Sequence, residues 1–97
     1  MNALELLRAH AAELRALGVS RIGVFGSVSR GEAQEASDVD VFVEFAPGQR
    51  TYDNFFALHE LLERLFQRRV DLVTDQALSA TQAALILPTV QYAALEA

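Results

Sequence analysis

The sequence predicts a small α/β domain of the α+β kind, with a mixed sheet of about three to four strands covered by helices. Three observations carry that prediction. The stretch "DVDVFVEF" at 38–45 alternates strictly between two faces, as a half-buried strand does. Two further short runs, "VSRIGVFG" at 19–26 and "RRVDLVT" at 68–74, are rich in β-branched residues and flanked by turn-forming or charged ones. Segments with leucines three and four residues apart precede and separate these runs.

Taken in order, residues 2–17 place Leu4, Leu7, Ala11, Leu14 and Leu17 at helical spacing, which predicts one amphipathic helix closed by Gly18. The first strand follows, mostly buried. "SVSRGEAQEAS" at 27–37 is small and polar and predicts a loop with at most one helical turn. In the second strand Val39, Val41, Val43 and Phe45 take one face, and Asp38, Asp40, Phe42 and Glu44 the other. Pro47-Gly48 makes a turn, and 54–67 forms a helix with Phe55, Leu58, Leu62, Leu65 and Phe66 inward. After the third strand, Ser79 with Gln82 predicts a capping box opening a last helix that ends before Pro88. A helix in the crossover from strand two to strand three predicts that those strands lie parallel and adjacent.

The bulk properties narrow the function. Ninety-seven residues are expected to form a single domain, 1–97. Eight basic residues, all arginine, against thirteen acidic ones give a net charge of −5. So acidic a chain is not expected to grip nucleic acid directly, which calls for a basic face. Cysteine is absent, which excludes disulfides and thiol chemistry. No apolar run approaches the roughly 20 residues that span a bilayer, and acidic residues interrupt the N-terminal pattern, unlike a signal peptide. The expected location is the cytoplasm, with no membrane association.

The chemistry concentrates at 26–40 and at Asp71. Asp38 and Asp40, two apart on a strand, point to one face beside Phe42. A strand's wet face often carries polar residues. Two carboxylates under partial cover repel, however, unless a cation compensates, and hard oxygen ligands fit magnesium best. Asp71, between Val70 and Leu72, is expected in the interior, either paired with Arg68 or Arg69 or joined to Asp38 and Asp40. Three carboxylates in one cluster can hold two metal ions about 3.5–4 Å apart for in-line displacement at phosphorus. Gly26, ending the first strand, lets backbone approach a ligand, and Ser27 can cap a turn whose N–H groups face an anion. Arg30 on the same loop either touches a phosphate or is solvated. The residues alone reach metal-dependent phosphoryl-type transfer and no further.

"GSVSRG", "SDVDVFVEF" and "VDLVT" together resemble the minimal nucleotidyltransferase (MNT) domain of the DNA polymerase β-like superfamily. Gly26-Ser27, ten residues, Asp38-Val39-Asp40 and a later Asp71 match that pattern, and the small size resembles the antitoxin of HEPN–MNT toxin–antitoxin pairs. The resemblance spans roughly residues 15–80 and implies a nucleotidyltransferase fold. It also implies that Asp38, Asp40 and Asp71 are catalytic and bind two magnesium ions, and that Gly26 and Ser27 contact the β/γ end of the ATP triphosphate. AMP would pass to a protein hydroxyl, a tyrosine of a HEPN toxin partner, with Asp71 helping to activate the acceptor.

The competing expectations are an antitoxin that neutralises its partner by complex formation alone, an adapter that adenylylates a metabolic enzyme, and a small structural domain. The apolar tail "TQAALILPTVQYAALEA" predicts burial in its own fold or against a partner, as a homo- or hetero-oligomer. His10, His59, Tyr52 and Tyr92 carry no expected role, and Glu32 and Glu35 are expected to be solvated.

Overall fold

The computed structural model describes residues 2–26 and 38–95. Helices α1 (Ala3–Ala9) and α2 (Ala11–Ala16) open the chain, with the Asn2 side chain accepting the Glu5 N–H at 2.9 Å as N-cap. The single helix expected over 2–17 is thus two. The chain breaks at His10 (φ −109°, ψ 24°), without Gly or Pro, so that each short helix packs separately on the first strand with Leu7 and Leu14 fully buried. Gly18 (φ 86°) ends this region as expected, and its C=O accepts the Ala46 N–H at 2.8 Å.

Four strands follow: β1 (Val19–Phe25), β2 (Val39–Phe45), β3 (Val70–Thr74) and β4 (Gln91–Tyr92). Their order is β3-β2-β1-β4, with β1 antiparallel to both β2 and β4. β2 and β3 are parallel neighbours, as the crossover helix predicts. That helix, α3 (Tyr52–Phe66), is the longest at 15 residues and contributes the buried Leu58, Leu61 and Leu62. Val39, Val41 and Val43 face these leucines within one core cluster. Phe42, on the opposite face, is buried as well and meets the Tyr92 ring edge-on at 6.3 Å.

Helix α4 (Ala80–Ile86) has the expected capping box: Ser79 Oγ accepts the Gln82 N–H at 3.1 Å, and Gln82 Oε1 accepts the Ser79 N–H at 2.9 Å. The apolar tail divides. Leu85 and Leu87 stay exposed, whereas the chain beyond them returns as β4 and buries Leu95. Gly23 permits that return, because Gln91 C=O and Val90 occupy the place its Cβ would take.

Thr51 caps α3 by accepting the Asn54 N–H at 3.1 Å. Replacing it with alanine leaves that N–H without its partner and is expected to lower stability by about 1 kcal/mol, measured by urea unfolding.

Candidate active site

Two register relations build the site. Phe25 of β1 lies opposite Asp40 of β2, and Asp40 lies opposite Asp71 of β3. The end of β1 and the beginnings of β2 and β3 therefore meet at one end of the sheet. Register partners on neighbouring strands share a face about 5 Å apart, so the Asp40 and Asp71 carboxylates stand side by side. Asp38, just ahead of β2, shares that face by the two-residue period.

Burial differs among the three. Asp40 is partly buried; Asp38 and Asp71 are exposed. An interior Asp71 was the expectation from its apolar neighbours, and the structure corrects it. β3 is an edge strand, and Asp71 sits near its open beginning. The arginine contact also falls elsewhere: Arg69 Nε lies 3.7 Å from Asp38 Oδ1, a largely exposed pair worth little energetically. The Asp40 carboxyl titrates above its ordinary value, chiefly through burial and further through the charges of Asp71 and Asp38.

Gly26 ends β1 with φ 71°, a conformation that favours glycine. A Cβ there would overlap Asp40 Oδ2. The close approach expected at this glycine is thus first of all to the carboxylate. Ser27 and Arg30, like Glu32 and Glu35, lie outside the described residues.

The donor types suit a hard divalent cation: three carboxylates, one of them held at raised proton affinity by burial and by the other two. Among the described residues no three His, Cys, Asp or Glu side chains enclose a cation by themselves. Magnesium is usually bound through one or two protein carboxylates, with phosphate and water in its remaining positions.

A cavity of about 280 Å³ lined by Arg50, Thr51, Tyr52, Phe55, Phe56 and Thr74 opens elsewhere. Thr74 pairs with Val43, three residues along the strand from the Asp40–Asp71 pair, or roughly 10 Å away. Among the described residues no carboxylate lines it. Sequence reasoning passed over His59 and Glu63, whose signal was their four-residue spacing on one helix face. His59 Nε2 lies 2.9 Å from Val70 O, and Glu63 Oε2 accepts the Val70 N–H at 2.9 Å.

The model of the nucleotidyltransferase domain matches residues 7–93. The chain belongs to this nucleotidyltransferase family. It is 47% identical over 88 residues to the protein adenylyltransferase MntA of Thermococcus cleftensis, covering 90% of this chain and 88% of that protein. A solved structure described as a minimal nucleotidyltransferase superposes with a TM-score of 0.74 at 38% identity, covering 94% of this chain and 95% of the other. The fold also recurs, at 21% identity and a TM-score of 0.62, in a complex of tri-AMPylated Shewanella oneidensis HEPN toxin with MNT antitoxin, covering 92% of this chain and 70% of that one. The nucleotidyltransferase fold and enzyme class expected from Gly26-Ser27, Asp38-Val39-Asp40 and Asp71 are those of the family. Among the described residues no helix is long and apolar enough to cross a membrane.

Proposed function

We propose that this nucleotidyltransferase transfers AMP from ATP to a tyrosine hydroxyl of a HEPN-type toxin and so acts as its antitoxin. The observation that carries this reading is the in-register Asp40–Asp71 pair beside Asp38 at the open sheet end, with Gly26 against the Asp40 carboxylate. The relatives named protein adenylyltransferases support the class of acceptor. Recurrence of the fold in a HEPN–MNT complex supports the kind of partner.

In this reading Asp38, Asp40 and Asp71 hold magnesium, which when bound supplies the positive charge that neutralises the triphosphate. Gly26 leaves the Asp40 carboxylate room to face the nucleotide, and Ser27 and Arg30 contact its phosphates. The exposed Asp71 takes the proton of the acceptor hydroxyl. The hydroxyl oxygen forms a bond to the α-phosphorus as the bond from that phosphorus to the bridging oxygen breaks, and pyrophosphate leaves.

The test is the intact mass of the protein encoded beside this one, after incubation with this chain, magnesium and ATP. A gain in AMP increments that vanishes with chelator is expected. A tight complex of unchanged mass would instead favour neutralisation by binding alone.

A further inference from the structure

We infer that His59 and Glu63 form a clamp that positions Asp71 by fixing the register of β3. The inference rests on the reading of Asp71 as a magnesium ligand. Among the described residues β3 pairs on one side only, with β2. Backbone groups along such an edge strand alternate between the neighbour and the open side. Arg69 C=O points to the neighbour, accepting the Val39 N–H at 2.9 Å. The N–H and C=O of the next residue, Val70, therefore face away from β2, where an edge strand normally leaves them to water.

Here one helix face takes both. Glu63 Oε2 accepts the Val70 N–H at 2.9 Å, and His59 Nε2 stands 2.9 Å from Val70 O. A carbonyl can only accept, so His59 Nε2 carries the hydrogen and donates it. The two side chains are one helical turn apart on α3 and 3.6 Å from each other, and both bonds are partly buried. They lock α3 to one residue of β3.

A strand that slips by one residue exchanges its faces. With Val70 held, its side chain points into the core and Asp71 points to the opposite face, beside Asp40. Without the clamp, Asp71 keeps among the described residues its pairing with β2 and the apolar contacts of this five-residue strand. Groups that orient metal ligands typically contribute about 10–100-fold to metal affinity, and a displacement of about 1 Å far from the chemistry can lower a rate about 10²-fold.

Mn²⁺ titration followed by electron paramagnetic resonance, with melting temperatures alongside, tests this on the wild type, Glu63→Ala, Glu63→Gln, His59→Ala, Asp71→Asn and the Glu63→Ala/Asp71→Asn double variant. Glu63→Ala is expected to weaken Mn²⁺ binding about tenfold, and Glu63→Gln, which keeps an acceptor oxygen for Val70, to restore most of it. In the Asp71→Asn background Glu63→Ala should add nothing, because it acts through Asp71. Wild-type affinity in Glu63→Ala and His59→Ala, with Asp71→Asn weakened, would overturn the clamp and leave the role of Asp71 intact. An equal loss in both backgrounds would also overturn it, since the pair would then serve the fold alone. Undiminished binding in Asp71→Asn would overturn the reading of Asp71 and the clamp with it. Should Glu63→Ala not fold, His59→Ala alone and combined with Asp71→Asn carries the same comparison.

Discussion

Asp40→Asn is expected to lower AMP transfer by about 10³-fold or more while leaving the protein at least as stable as the wild type at neutral pH. The kinetic part follows from removing the central carboxylate of the cluster. Positive charge held at the phosphates is worth several kcal/mol in the transition state, and each 1.36 kcal/mol is tenfold in rate. The stability part follows from the sign of the Asp40 shift. Burial, Asp71 and Asp38 all raise its folded-state pKa. The folded state therefore binds the proton more tightly than the unfolded chain, and stability falls as pH rises from the ordinary carboxylate range through the raised value. At neutral pH the charged Asp40 opposes folding, and asparagine removes that opposition. Melting temperature against pH checks it: the wild type should lose stability across that window, and Asp40→Asn should lose less. A variant markedly less stable than wild type at pH 7 would make the carboxylate a structural element.

Gly26→Ala should damage both fold and activity. The backbone there has φ 71°, and an alanine in the left-handed region is disfavoured by about 1–2 kcal/mol. Its Cβ would also collide with the Asp40 carboxylate, so that carboxylate must move, and a shift of that kind can lower the rate about 10²-fold. The two effects separate in a double-mutant cycle. In an Asp40→Ala background the collision is gone, and Gly26→Ala should show only the backbone penalty in urea unfolding. Equal losses in both backgrounds would mean that Gly26 and Asp40 do not interact.

The strands and the carboxylates were legible because both depend on short-range pattern. The two-residue alternation of 38–45 put Asp38 and Asp40 on one face, and the helical spacing of 54–67 implied the crossover that sets Asp71 beside Asp40. What escaped was set by tertiary geometry. No residue type marks the break at His10, which serves packing of two short helices on β1. Val70 and Leu72 suggest an interior position for Asp71, whereas its exposure depends on β3 being the edge strand. The tail reads as uniformly apolar, and its return as β4 depends on space left by Gly23, far away in sequence. His59 and Glu63 stand four residues apart on α3, but nothing in side-chain patterning tells which backbone groups they bond.

The arrangement of the sheet margins bears on association between molecules. An open margin of unpaired backbone groups invites another chain to add a strand, the first step of aggregation. This sheet limits the invitation at particular residues. At β3 the outward groups of Val70 are already bonded to α3, and on the other side β4 is only two residues long. The carboxylates occupy the end of the strands and not their flank. The backbone of Val70, next to Asp71, is thus withheld from intermolecular β-pairing by the helix that packs behind it.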